Sequence, residues 1–356
     1  MTWPPGVKPA VGPAFPGSPF AARMRLPQGG LQEVMQLKDI RALVATDLAA
    51  VDAEILRQLG SDVALVNQVG EYIVGAGGKR IRPLLVVLAA RAAGARDSAH
   101  IPAAAFIEFI HTATLLHDDV VDDSAKRRGR DTVNEAFGNP ASVLVGDFLY
   151  SRAFQIMAAL DSPALIRVMA DATNTIAAGE VMQLMNSGDP DTTEIRYMEV
   201  IYRKTARLFE AGAQVAAIVA KAPAAVENAL ARYGKHLGIA FQLVDDALDY
   251  RGDTEELGKN VGDDLAEGKP TLPLIHALRH SGPAEATLIR SVIERGGTAD
   301  QAPIRAVVES TGGLDYTARL AENEAERAVR ALAGIPASAF RDGLAALATY
   351  AVTRSA

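Results

Sequence analysis

The sequence predicts an all-α protein, and three observations carry that expectation. Runs of β-branched residues alternating with period two do not recur, so strand signals are scarce. Ala, Leu, Glu and Arg dominate at helical spacing, with apolar residues returning at intervals of three and four. Gly and Pro mark breaks between those runs, as at Gly75-Ala76-Gly77-Gly78 and Ser187-Gly188-Asp189-Pro190-Asp191. A chain of 356 residues can bury a large core. The net charge of −7, without a Lys/Arg block, disfavours nucleic acid as a partner. No cysteine is present, which excludes disulfides, zinc-thiolate sites and thiol catalysis and fits a reducing, cytoplasmic setting. The richest apolar stretch, Leu84 to Ala90, is far too short for stable membrane insertion, so a soluble protein is expected.

Residues 1–30 hold many prolines and glycines, which prevents the amphipathic helix of a transit peptide; they read as a disordered tail or an upstream start choice, and 31–356 as one helical domain. From Leu31 to Leu59 an amphipathic helix runs to Gly60, and Ser61 caps a second one through Val74. Gly77-Gly78-Lys79-Arg80-Ile81-Arg82-Pro83 follows, a flexible turn with three cations leading into a helix near Pro83. Glycines let the backbone approach an anion, and a helix N-terminus with Lys and Arg attracts it. An exposed basic turn explains these residues equally well when taken alone.

Pro102 opens a helix that is apolar nearly all round, as in the centre of a bundle, and that carries His111. His111 suits ligand contact and core packing equally. Lys126-Arg127-Arg128-Gly129-Arg130 then forms a cationic loop suited to bidentate phosphate binding. Helices follow at about 140–160 and 163–185. Asp191-Thr192-Thr193-Glu194 has the form of a capping box and begins a helix to about Lys221 that carries Lys204 and Thr205. The helix from about Pro223 to Tyr250 carries Gln242. A polar Gly/Asp/Lys loop from Gly258 to Pro270, including Lys259, has the composition of a lid. Helices from Leu272 to Thr353 complete the chain.

Chemistry concentrates at the end of the helix that Pro102 opens. Asp118, Asp119 and Asp122 sit at i, i+1 and i+4. Like charges one turn apart repel, and the helix C-terminus adds its own partial negative charge. Clustered carboxylates suit a hard divalent ion, and Mg²⁺ takes one or two of them together with substrate phosphate. One such run is readily a solvated helix end. Asp245, Asp246 and Asp249 repeat the spacing after a similar apolar run, and two unrelated solvated faces with one spacing are improbable. If the two helices face each other, six carboxylates line one cavity.

These motifs, Gly77–Pro83, Asp118–Asp122 with Arg127-Arg128-Gly129, Lys204-Thr205-Ala206 and Phe241–Asp249 with Gly258-Lys259-Asn260, resemble in this order the trans-isoprenyl diphosphate synthases of the long-chain (octaprenyl, solanesyl or decaprenyl) branch. The resemblance covers roughly Glu33 to the C-terminus. It implies the isoprenoid synthase fold, a single-domain helical bundle around a deep central cavity, in a homodimer. The implied reaction adds isopentenyl diphosphate repeatedly to an allylic diphosphate such as farnesyl or geranylgeranyl diphosphate and supplies a quinone side chain. The same resemblance assigns Lys79, Arg82, His111 and Arg128 to the isopentenyl diphosphate. Asp118, Asp122 and Asp245 are assigned to Mg²⁺, supported by Asp119, Asp246 and Asp249. Arg127, Lys204, Thr205, Gln242 and Lys259 are assigned to the allylic substrate, Lys204 and the aspartates being the catalytic set. Ala113 and Thr114, about 6 to 7.5 Å down the helix from Asp118, are implied to set chain length, and their small size implies a long product. Phe148 and Phe154 are candidates for the cavity floor. A shorter-chain, geranylgeranyl-type synthase, a terpene cyclase, a noncatalytic subunit and a helical scaffold are the alternatives. Two intact acidic motifs and the Gly-Gly-Lys-Arg turn count against the cyclase and the noncatalytic subunit.

Overall fold

The computed structural model describes residues 35–75, 77–127, 129–250, 262–296 and 302–354; the proposed N-terminal tail, Arg128 and Lys259 lie outside them. Its elements are α1 (Leu37–Ala42), α2 (Ala45–Leu59), α3 (Ala64–Gly75), α4 (Ile81–Ala92), α5 (His100–Val121), α6 (Val133–Phe137), α7 (Asn139–Ala159), α8 (Pro163–Asn186), α9 (Glu194–Ile201), α10 (Arg207–Val219) and α11 (Ala224–Leu248). A single turn at Asp263–Ala266 precedes α12 (Leu272–His280), α13 (Pro283–Arg295), α14 (Ala302–Ser310), α15 (Gly313–Ala331) and α16 (Ala339–Thr353). Among the described residues the only strands are β1 (Lys126–Arg127) and β2 (Arg130–Asp131), a two-residue antiparallel ladder within the expected cationic loop. The chain is therefore all-α, as expected.

Helix α4 shows why the bundle forms. Every residue from Leu84 to Ala90 is at most 1% exposed, so this helix is buried on all sides and the others gather around it. Each of its three leucines contributes about 2 kcal/mol by leaving water. Helix α5 packs beside it, against α7 on one flank and α10 on another, and α10 in turn holds α8 and α11. A smaller apolar cluster, including Leu265, Leu274, Ile289 and Val308, lies beneath the segment after residue 262.

The local expectations hold in type and shift at the ends. The first predicted helix breaks at Leu43–Val44 into α1 and α2, and α3 starts at Ala64, with the Ser61 hydroxyl accepting from the Val63 N–H. At the predicted capping box the cap is Thr193, whose Oγ1 accepts from the Arg196 N–H at 3.2 Å. Asp191 instead accepts from Arg290 at 2.8 Å, a partner distant in sequence. The long helix expected through Lys221 is interrupted at Tyr202–Ala206 by a π turn, a widened turn frequent at functional sites. Among the described residues no helix is long and apolar enough to cross a membrane.

Candidate active site

Helix α5 ends at Val121, which puts Asp118 and Asp122 one turn apart on the same face and Asp119 about 100° away. The side chains follow that geometry. Lys204 Nζ is 3.2 Å from Asp118 Oδ2 and Lys269 Nζ donates to Asp122 Oδ2 at 2.9 Å. Asp119 turns away into the protein, 3% exposed, where Arg127 donates to its Oδ1 from Nε at 3.0 Å and Nη2 at 2.7 Å. Three cations from three parts of the chain thus offset the repulsion built into the motif.

Lys204 and Thr205 are carried by the π turn. Helix α8 lies directly against it: a Cβ on Gly179 would come within 2.8 Å of the Lys204 backbone nitrogen, so a glycine is needed there. That approach puts Glu180 Oε2 2.5 Å from Lys204 Nζ. Burial pushes the Glu180 carboxyl up to about 7, with Lys204 opposing and the charges of Asp118 and Asp122 adding to the rise. For Lys204 burial works downward, but Asp118 and Glu180 outweigh it and hold the ammonium above its ordinary range.

The same turn reaches the second motif. Thr205 Oγ1 donates to Gln242 Oε1 at 2.8 Å, and Gln242 Nε2 donates to Asp246 Oδ1 at 2.7 Å. The Tyr197 hydroxyl donates to the other Asp246 oxygen at 2.5 Å. Burial raises Asp246 well above the usual carboxylate range and Asp264 adds to it, against the pull of those two hydrogen bonds. Asp245 pairs with Arg354 Nη2 at 2.7 Å. The Asp249 carbonyl accepts from the Gly262 N–H at 3.1 Å.

On the cationic side Arg82 Nη1 lies 2.9 Å from His111 Nε2, and its guanidinium sits 4.5 Å over the Phe209 ring. Two residues assigned to one substrate are therefore adjacent. Lys79 is exposed, its carbonyl accepting from Arg41 at 3.0 Å. Arg80, left-handed at φ 48°, is taken up by Glu108 at 3.2 Å and Asp52 at 3.7 Å.

A cavity of about 1560 Å³, counting its open mouth, descends from Asp118 and Asp122 past Thr114 and Ile110 of α5, between Tyr150 of α7 and Thr173 and Ile176 of α8. Its carboxylates are Asp118, Asp122, Asp147, Glu180 and Glu267; the second motif does not line it, so the expectation that six motif carboxylates line one cavity is corrected. Helical rotation turns Asp119 away, and Asp245 and Asp246 are engaged by Arg354 and Tyr197. Thr114 lines the wall as expected, whereas Ala113 is fully buried in the core beside it. Phe148 and Phe154, the candidates for the floor, do not line the cavity: Tyr150 does, with the Phe154 ring 5.5 Å from it and Phe148 beneath Arg152. Among the described residues no three carboxylate or imidazole groups converge closely enough to hold a metal unaided.

Sequence reasoning missed Glu180, Lys269, Tyr197 and Arg354. Glu180 left one trace, the Gly-Glu pair within α8, and Lys269 lay in the expected lid segment. Tyr197 and Arg354 carry no local signal.

Fold and site together define the class: an all-α prenyltransferase acting on diphosphate esters. The polyprenyl synthetase family model matches residues 63–311, and the chain belongs to that family, whose members use a divalent metal ion. It is 57% identical over 321 residues to the octaprenyl diphosphate synthase of Escherichia coli K12, covering 90% of this chain and 99% of that one. To the geranyl-diphosphate-specific all-trans-nonaprenyl-diphosphate synthase of Rhodobacter capsulatus it is 48% identical over 318 residues, 89% and 98% of the two chains. The crystal structure of a Caulobacter crescentus polyprenyl synthase, complexed with calcium and isoprenyl diphosphate, superposes with a TM-score of 0.88 at 45% identity, covering 92% of this chain and all of that one. The chain is a long-chain all-trans polyprenyl diphosphate synthase whose substrates are isopentenyl diphosphate and an allylic diphosphate.

Proposed function

We propose that the enzyme extends farnesyl or geranylgeranyl diphosphate to octaprenyl length with Mg²⁺, as a cytoplasmic homodimer, and that its product becomes a quinone side chain. The observation that carries this reading is the cavity leading down from Asp118 past the small Thr114, with no Phe, Tyr or Trp of α5 lining it. Incubation with farnesyl diphosphate, labelled isopentenyl diphosphate and Mg²⁺, followed by chromatographic sizing, tests it. A ladder ending at the octaprenyl product supports the reading; a geranylgeranyl end point keeps the enzyme class and removes the length. The match to the octaprenyl synthase supports that length, while the nonaprenyl relative makes the neighbouring length the outcome to exclude.

The donor set fits Mg²⁺. Asp118 and Asp122 offer hard oxygen donors and no sulfur, and ammonium groups already stand 3.2 and 2.9 Å from them; Asp245, held by Arg354 at 2.7 Å outside the cavity lining, would exchange that partner to join them. When bound, the ion supplies Lewis-acid stabilisation of the leaving diphosphate. Lys204 and Arg127 add positive charge where negative charge builds as the allylic carbon–oxygen bond breaks. Thr205 and Gln242 hold the π turn against α11, which keeps Lys204 aimed. Asp119 fixes Arg127, and Asp246 and Asp249 fix the end of α11. Lys259 and Arg128 complete the diphosphate contacts in this reading. The apolar walls exclude water that would quench the allylic cation before the isopentenyl double bond attacks it.

Arg82 and His111 hold the isopentenyl diphosphate with Lys79. Arg82→Ala is expected to raise KM for isopentenyl diphosphate by about 10²-fold, a charged bidentate contact being lost, with KM for farnesyl diphosphate within about threefold of the parent. Steady-state kinetics with each substrate varied in turn checks this, and an equal rise for both overturns the assignment.

The dimer reading is supported by apolar side chains left in water on neighbouring helices: Leu144 of α7 is 64% exposed, and Leu184 and Met185 of α8 are 64% and 71% exposed. Patches of this kind mark interaction sites. Leu144→Asp is expected to shift the mass measured by light scattering from two chains toward one; an unchanged dimer mass moves the interface elsewhere.

A further inference from the structure

The carboxylates and lysines at the cavity mouth repeat one arrangement. Lys204 lies between Asp118 at 3.2 Å and Glu180 at 2.5 Å. Lys269 lies between Asp122 at 2.9 Å and Glu267, which it also contacts closely. In each case one ammonium bridges an aspartate of the first motif and a glutamate outside it. All six side chains are at most 29% exposed, so the contacts are shielded from solvent far better than surface pairs.

Both glutamates are placed by α8. Glu180 follows Gly179, whose missing side chain lets α8 press on the backbone of Arg203 and Lys204. Glu267 is anchored to the other end of the helix: Ser187 Oγ donates to the Glu267 carbonyl at 2.8 Å and the Gly188 N–H to the Gly268 carbonyl at 3.0 Å. One helix thus fixes the second acceptor of both lysines.

The geometry points to Glu180 and Glu267 as positioning residues that retain Lys204 and Lys269 at the site when a divalent ion takes Asp118 and Asp122. This rests on the reading that those aspartates are the metal ligands. With no ion bound, each lysine neutralises an aspartate that would otherwise face like charges one turn away. An arriving cation competes with that ammonium for the carboxylate, since two positive groups on one carboxylate repel in a partly buried site. A lysine with a second carboxylate in contact shifts to it and stays within reach of the diphosphate. A lysine without one competes with the metal for the aspartate.

The expected consequence is a change in metal demand. With the unreactive analogue farnesyl thiodiphosphate held constant, Mg²⁺ titration by calorimetry is expected to give a half-saturating concentration about tenfold higher in Glu180→Gln and in Glu267→Gln than in the parent. The two effects should combine nearly additively in free energy in the double variant, because different lysines are involved. Each glutamate also attracts Mg²⁺ simply by its charge, and a double-mutant cycle separates the two roles. In a Lys204→Met background, Glu180→Gln should no longer change the half-saturating Mg²⁺; a persistent tenfold shift there overturns the proposal. Unchanged half-saturation in both single variants, with cooperative thermal melts, also overturns it. Glu180→Asp, which keeps the charge, should recover part of the lost affinity if Glu180→Gln proves too unstable to titrate, and no recovery counts against the role. If the parent itself binds the analogue without any dependence on Mg²⁺, the metal-ligand reading fails instead.

Discussion

Asp118→Ala is expected to lower turnover by about 10³-fold, the loss seen when a principal electrostatic contributor to a transition state is removed, while the protein still folds. The two halves of this expectation come from the same contacts. Asp118 stands at the cavity mouth, 15% exposed, where it is the proposed ligand of the ion that stabilises the leaving diphosphate. Its removal does not orphan Lys204, because Glu180 holds that ammonium at 2.5 Å. Relief of repulsion from Asp122 further offsets the lost ion pair, so a stability change of no more than about 1–2 kcal/mol is expected. Turnover of labelled isopentenyl diphosphate and a thermal melt on the same sample provide the check. Activity within tenfold of the parent would remove Asp118 from the metal site.

Thr114→Phe is expected to shorten the product by several isoprene units. Thr114 lies one turn below Asp118, about 6 Å along α5, and lines the cavity that the growing chain must enter. Its hydroxyl donates to the His111 carbonyl at 2.8 Å, so the polar end is satisfied locally and the position costs little to change. A phenylalanine ring there projects across toward Tyr150 and blocks the passage. Ala113→Phe tests the neighbouring position in a different way. Ala113 is fully enclosed, and overpacking such a site costs about 1–3 kcal/mol. The ring relieves only part of that strain by turning into the adjoining cavity, so a shortened ladder and a lower melting temperature should appear together. Full-length product from both variants would place the tunnel away from this face of α5.

The parts of the protein legible in its sequence are those governed by short-range periodicity and local chemistry. Apolar spacing announced α5 and α11, proline marked the start of α8, and the repeated aspartate spacing identified both motifs because each motif fits within about a turn and a half of helix. Pairs within hydrogen-bonding reach along one helix, such as Gln242 and Asp246, follow from the same rule. What the tertiary structure alone decided is which charge meets which. Lys269 reaches Asp122 across 147 positions and Arg354 reaches Asp245 across 109, and no local pattern encodes either contact. Rotation about α5 and α7 likewise decided that Asp119 faces Arg127 and that Tyr150, not Phe148, meets the cavity. The physical reason is common to all of these: backbone hydrogen bonding sets where residues lie along one helix, whereas the packing of several helices around α4 sets which side chains share a space.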